Sequence, residues 1–339
     1  MNQSAFLGIV DERVRSALAD HAATLGVSLQ DVGLRAGKRA RPRLVHACAE
    51  TLGLTPESAA PWAALVEMIH VASLVHDDVI DGAELRRGQL SLRARDGNRR
   101  AVLGGDLFVS AAWLMASQEL PPEVTAILAR AMLEMTAAEL RERELLWNPD
   151  ASLSCYLRVI DGKTAALFAA AAEGTATLAG APPATRRALT RWGRALGCAF
   201  QIQDDIHDYE RTREVSGKDT MKDLKEGIVT LPLIIALRCH GLRARAVRQY
   251  LVSRGRVALG PRTFDELLAE SHALARSARL ARRFVRNGIA ALDGLVPTRA
   301  IRELAMTIPG SSLGFLSSLR SADTRVGQLS SSRPLQAYR

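Results

Sequence analysis

Aromatic side chains are scarce: phenylalanine, tyrosine and tryptophan together make up only 4% of the 339 residues. Stacking platforms for single-stranded nucleic acid therefore have little to be built from, and no basic run is interleaved with aromatics. Alternating segments rich in Val, Ile and Thr are also missing. What remains is rich in alanine, leucine and arginine, a composition biased toward helix over sheet. Cysteine is reduced to Cys48, Cys155, Cys198 and Cys239, widely spaced and without a CxxC pair. That pattern excludes a disulfide framework and a zinc site, and it fits a reducing compartment. No apolar run approaches the roughly 20 residues of a bilayer span. The opening MNQSAFLGIVDERVRSALAD turns charged too early for a signal peptide, so a cytoplasmic location is expected.

Against these absences stand a hydrophobic content of 47% and a formal net charge of +9. Arginine is spread along the whole chain, which reads as a solvated basic surface. Binding of a small polyanion is the alternative, and no nucleic-acid partner is expected. Apolar residues recur at i, i+3, i+4 and i+7 through most of the chain, so the periodicity predicts an all-α domain of about ten helices over residues 1–320. The serine-rich stretch 321–339 has no such period and is expected to be a disordered polar tail.

Two acid clusters share one spacing. Residues 77–81 read DDVID and residues 204–208 read DDIHD, each at the end of a long apolar helical stretch. On a helix the first and last aspartates of DDxxD lie four residues apart on one face. Extending the first face backwards gives Val66, His70, Ser73, Asp77 and Asp81, a stripe that grows more polar toward one end. Like charges at that spacing weaken a helix, and acids near its C-terminus oppose the helix dipole. One such motif could be a solvated acidic helix end; two call for a cation. Oxygen-only donors suit a hard ion, Mg²⁺ above others, with phosphate oxygens completing its shell. Lys38, Arg39 and Arg41 in GKRARP, the pair Arg86-Arg87, Lys163-Thr164 and Lys218 supply cations. Taken together with the acids they describe a site for diphosphates.

The ordered blocks GKRARP, EMIHVASLVHDDVIDGAELRRG, LGGD, KTAALF, FQIQDDIHD, GKD and TLP carry a resemblance. In this respect the chain resembles the trans-polyprenyl diphosphate synthases, class I isoprenoid synthases with two DDxxD motifs. The resemblance implies an all-α, isoprenoid-synthase-type bundle around a deep central cavity, in a homodimer, with at most peripheral membrane contact through its product. Its substrates would be isopentenyl diphosphate and an allylic diphosphate. Asp77, Asp78 and Asp81 would hold two Mg²⁺ ions, and Asp204, with Asp205 and Asp208, a third. Arg86, Lys163, Thr164, Gln201 and Lys218 would contact the allylic diphosphate or its metals. Lys38, Arg41, His70 and Arg87 would grip isopentenyl diphosphate. Ionisation, condensation and deprotonation need no protein nucleophile, and no Ser/His/Asp or Cys/His signature is present.

In this family the growing tail runs beside the first aspartate helix. One turn before Asp77 the residues are the small Ala72 and Ser73, where a farnesyl-stage stop would place a bulky aromatic. A product longer than farnesyl is expected, geranylgeranyl or a longer polyprenyl diphosphate. Ile69, Met68 and Leu65 are expected to line the next turns. Trp113 either narrows the lower tunnel or packs in the core. Departures from the family pattern are Ala36, Glu142 for a frequent glutamine, His207 within the second motif and Ile228 for a common lysine. A class I terpene cyclase is the alternative, although its second motif would be of Asn/Ser/Glu type. A carboxylate-bridged di-metal bundle, using the Glu67–His70 and Asp204–His207 spacings, is a further alternative.

Overall fold

Thr55 opens the helix that carries the first acid cluster. Its hydroxyl accepts a hydrogen bond from the Ser58 N–H at 3.3 Å, Pro56 takes the first helical position and Glu57 sits in the first turn. All three are favoured at a helix N-terminus. From there the helix runs Pro56–Ile80 and is buried along most of its length. The computed structural model describes residues 1–25, 37–86, 88–214, 222–260 and 262–307. Ala36, Arg87, Lys218, the GKD block at 217–219 and the tail 321–339 lie outside the described residues.

Among the described residues the order is α1 (Gln3–Leu25), α2 (Ala40–Leu52), α3 (Pro56–Ile80), β1 (Leu85–Arg86), β2 (Gln89–Leu90), α4 (Leu92–Asp96), α5 (Asn98–Glu119), α6 (Pro122–Glu142) and α7 (Leu153–Ile160). A π-helical turn, Asp161–Ala165, leads into α8 (Ala166–Leu178) and α9 (Pro183–Glu214). Then follow α10 (Lys222–Glu226), α11 (Leu231–Ala236), α12 (Leu242–Val252), α13 (Thr263–Glu270), α14 (Ala273–Ala290) and α15 (Arg299–Thr307). The all-α expectation holds, with more helices than periodicity alone suggests, because α4, α10 and α11 are too short to show a period. The exception to pure helix is a two-residue antiparallel ladder, Leu85 opposite Leu90, just after the first acid motif.

Two apolar clusters meet along α9. The larger gathers α1, α2, α3, α5 and the first part of α9 around Trp62, Phe108, Phe168 and Trp192. The second gathers α7, α11, α13, α14 and the later part of α9 around Ile202, Ile206, Tyr209 and Phe264. α3 also corrects the expectation about apolar runs, being long and apolar enough to cross a membrane by length and composition. Its most apolar stretch is, however, 78% buried inside the protein, as a core helix is. Trp62 ties it to α8 by donating its indole N–H to the Ala171 carbonyl at 3.0 Å.

Close helix approach sets the site. A methyl group added at Gly197 of α9 would lie 2.5 Å from the Ala165 Cα, and one at Gly162 would lie 2.6 Å from the Ala138 Cβ of α6. Only glycine lets α9 and α6 press on the π turn from two sides. That turn presents Lys163 and Thr164 between the two acid-bearing helices. π-helical turns of this kind often occur at functional sites.

Candidate active site

The C-terminal end of α3, the start of α2, the π turn and α9 enclose a cavity of about 570 Å³. Sequence positions far apart converge there. Lys38, Arg41, His70, Ser73, Asp77, Arg86, Lys163, Thr164, Gln201, Asp204 and Asp208 all line it. Asp78, Asp81 and Asp205 do not. For Asp78 and Asp205 the reason is geometric: adjacent residues on a helix point about 100° apart, so neighbouring aspartates cannot share a direction. Asp81 shares the face of Asp77 but caps α3 at its exposed end.

Each middle aspartate is turned inward and satisfied by the protein. Asp78 is buried and accepts from Arg86 Nε at 2.7 Å and Nη2 at 2.6 Å. This links the first acid motif to the ladder that follows it, and a buried pair of this type costs several kcal/mol to break from one side. Asp205 accepts from the Tyr156 hydroxyl at 2.5 Å and from Gln201 Nε2 at 2.9 Å. Gln201 in turn accepts from the Thr164 hydroxyl at 2.6 Å. Burial pushes the Asp205 carboxyl up to about 7, the two hydrogen bonds pulling it back and Asp204 and Asp208 adding to the rise. Asp205 thus fixes Gln201 and Thr164 toward the cavity through its own hydrogen bonds.

Asp77 faces the opening. Burial is the main cause that pushes its carboxyl up to about 7, with Lys163 opposing and Glu139 and Asp81 reinforcing the shift. Lys163 forms ion pairs with Glu139, at 2.9 Å, and with Glu142. Burial works against its charge, but the two glutamates outweigh it and hold its pKa above the ordinary lysine value.

The basic block before α2 divides into two roles. Lys38 reaches across to Asp204 at 2.9 Å and lies 5.0 Å from the centre of the Phe200 ring. Arg41 is buried over Phe168, its guanidinium 4.8 Å from the ring centre, and its Nε has no hydrogen-bond partner among the described residues. Burial lowers its pKa to about 10, while Glu67 and Asp204 oppose that shift. Arg39 between them has a left-handed φ of 47° and is held by Glu67 at 2.7 Å and Asp11 at 2.8 Å. Arg39 anchors the loop; Lys38 and Arg41 are the cations it aims.

A second cavity, of about 340 Å³, lies alongside α3. Ile69, Ala72, Ile80 and Val109 line it with Met132, Met135 and Leu140 of α6. Ser73, Asp77 and Lys163 line both cavities. Leu65 and Met68 instead belong to the fully buried core, and Trp113 packs against that core without lining either cavity.

The donor set fits a hard divalent cation held jointly with a ligand. The open carboxylates are oxygen donors, and burial, with neighbouring acids, drives the carboxyls of Asp77 and Asp205 toward protonation. No group of three or more His, Cys, Asp or Glu side chains among the described residues is arranged to hold a metal by itself. The missing coordination then falls to water and diphosphate oxygens, as is usual for magnesium.

Sequence patterns did not single out Glu139, Tyr156 or Asp223, and they offered Glu67 only as a metal ligand beside His70. Asp223 lines a smaller neighbouring cavity with Asp204, Asp205 and Asp208. Its carboxyl is raised by burial and by Asp208, with which it is hydrogen-bonded. An acid in KDLKEG, outside any repeated motif, carries no spacing signal. Glu139 and Glu142 do: an i, i+3 acid pair on α6 facing an isolated lysine is legible in retrospect.

The family model for polyprenyl synthetase matches residues 24–256. The chain belongs to that family. Octaprenyl diphosphate synthase of Haemophilus influenzae is 37% identical to it over 234 residues, 69% of this chain and 70% of the relative. A decaprenyl diphosphate synthase from Rhodobacter capsulatus shares its fold with a TM-score of 0.81 at 30% identity, covering 90% of this chain and 94% of the other. A polyprenyl synthase from Caulobacter crescentus, complexed with calcium and isoprenyl diphosphate, gives a TM-score of 0.77 at 32% identity over 90% and 92% of the two chains. This polyprenyl synthetase is accordingly a prenyl-chain transferase of isoprenoid biosynthesis, and the cyclase alternative is set aside.

Proposed function

We propose that the larger cavity joins isopentenyl diphosphate to an allylic diphosphate and that the growing chain passes into the second cavity, giving a product longer than farnesyl. One observation carries this reading: Ser73, Asp77 and Lys163 line both cavities. A charged chamber for diphosphates thereby opens beside a mainly apolar one for the tail.

Asp77, Asp81, Asp204 and Asp208 would hold magnesium, three ions on the family pattern. Bound there, the metal supplies positive charge for the departing diphosphate. Lys163, Thr164, Gln201 and Arg86 position the allylic diphosphate, with Lys218. Lys38, Arg41 and His70 receive the diphosphate of the second substrate, with Arg87. Thr164 and Gln201 hold their directions through Asp205 and Tyr156. Phe168 and Phe200, 5.4 Å apart at their ring centres, form an apolar wall that excludes water from the allylic cation. The proton lost after condensation goes to the released diphosphate.

A homodimer is part of this reading. Leu103 and Leu114 of α5 and Leu133 and Leu140 of α6 are large apolar side chains left exposed, Leu133 at 73% and Leu140 at 67%. A patch of that kind marks an interaction surface, and a second copy is its proposed occupant. All four cysteines are free thiols, which supports a cytoplasmic location.

The test is incubation of purified protein with Mg²⁺, isopentenyl diphosphate and geranyl, farnesyl or geranylgeranyl diphosphate, followed by mass analysis. Elongation of at least one primer beyond farnesyl is expected. No elongation with any primer would refute the substrate assignment, and a product that stops at farnesyl would refute the length assignment.

A further inference from the structure

Arginine on this protein is not evenly neutralised. Several arginines of α12 and α15 are paired: Arg243 with Glu266 and Glu270, Arg248 with Asp150, Arg299 with Glu303 and Arg302 with Asp293. α14 differs. Its 18 residues include five arginines and no acid. Residues 183–203 of α9 add four arginines and again no acid. The two helices pack along each other, a methyl group at Gly288 meeting Ala195 and Trp192.

Arg276, Arg279, Arg283 and Arg286 are all exposed. Steps of three, four and three residues put them on one face of α14, over about 15 Å of its length. The opposite face, with Ser277, Ala281, Val285 and Gly288, is buried. Arg187 and Arg191 are exposed on the neighbouring part of α9. None of these six has an ion-pair partner among the described residues. Like charges three and four apart cost a helix a few tenths of a kcal/mol per pair. An outside counter-charge would relieve that cost.

We propose that this arginine face docks on the surface of an anionic phospholipid bilayer. A straight, outward row of cations matches a plane of negative headgroups, and the guanidinium forks pair with phosphate oxygens. The other exposed positions of α14 are Ala275, Asn287 and Ala290, which offer no aromatic surface for nucleobases. The inference rests on the proposed function in one respect. A product with a long apolar tail belongs in a bilayer, so docking places the enzyme beside the phase that receives it. Each basic residue held near an anionic leaflet strengthens binding about fivefold.

The test uses the full chain and vesicles of phosphatidylglycerol mixed with phosphatidylcholine, against phosphatidylcholine alone, in a flotation assay without substrate. The expected result is binding to the anionic vesicles only, weakening as salt rises. Replacement of all four α14 arginines by glutamine should reduce it at least tenfold, with the melting temperature and turnover in detergent unchanged. The pair R279Q/R283Q, a milder change, should give an intermediate loss. Wild-type protein that stays off anionic vesicles at low salt would overturn the proposal. So would a quadruple variant that floats like wild type, or tight binding of an RNA oligonucleotide through the same arginines without vesicle binding. Because no substrate is added, failure to dock and failure to elongate are read separately.

Discussion

Asp77→Asn and Asp204→Asn each lower turnover by about two to three orders of magnitude, the scale on which preorganised charge stabilisation is lost. Neither costs much stability. Asp77 is a carboxyl that burial pushes up to about 7, so its ionised form is strained in the ligand-free fold and the neutral amide relieves it. Asp204 gives up only a half-exposed pair with Lys38, a class of interaction worth about 0–1 kcal/mol. Asp78→Ala behaves differently. It strands Arg86 beside a buried void, so its loss of activity comes with a lower melting temperature. Turnover and thermal melts on the three variants make the check. Wild-type turnover in Asp77→Asn would remove the open face of α3 from the chemistry.

The same carboxyl gives a pH sign. Its ordinary value is 3.8 and its folded value about 7. Between these the folded chain holds a proton that the unfolded chain has released, so ligand-free stability falls as pH rises through that window. On the proposed reading, Mg²⁺ with diphosphate binds the ionised Asp77 carboxylate, and its binding is expected to strengthen over the same window. The rise in melting temperature produced by Mg²⁺ and inorganic pyrophosphate should grow as pH passes about 7. A rise that shrinks with pH would contradict this ionisation order.

Long periodic helices were legible because their apolar faces repeat. α3 and α9 announce themselves over many turns, and the acids at their ends are visible as a break in that pattern. The two motifs converge because the C-terminal end of α3 and the later part of α9 border one cavity, and the charge logic of DDxxD anticipated such a neighbour. Short elements were not legible: α10 and α11 are too short for a period and are fixed by what they pack on. The π turn that aims Lys163 depends on Gly162 and Gly197 meeting partners from distant segments, information that no local window holds. The inward turn of Asp78 and Asp205 was available in principle, since adjacent helical residues diverge. Tyr156 and Asp223 were not, because each acquires its role only through a partner placed by the fold.

Ser73→Phe should convert the enzyme to a short-chain synthase, with farnesyl or shorter products dominating where wild type goes further. Ser73 lies about one helical turn before Asp77, about 6 Å away along the axis, and borders both cavities. A phenyl ring there stands in the passage the tail must use. Because the site borders open volume, the ring is accommodated more cheaply than in a packed core, where overpacking costs about 1–3 kcal/mol. Ile69 lies eight residues before Asp77, about 12 Å deeper, with Met132, Met135 and Val109 across the cavity. Met135→Phe therefore shortens the product by less, and Met132→Ala lengthens it. Trp113→Ala leaves length unchanged, since Trp113 lines neither cavity, while lowering the melting temperature through lost packing. Mass analysis with isopentenyl diphosphate in excess ranks the four variants. If Ser73→Phe makes the wild-type product, the chain does not pass Ser73 and the second cavity is not its route. If Met132→Ala alone fails to lengthen the product, the floor is set beyond α6, on the surface proposed to meet a second copy of the chain.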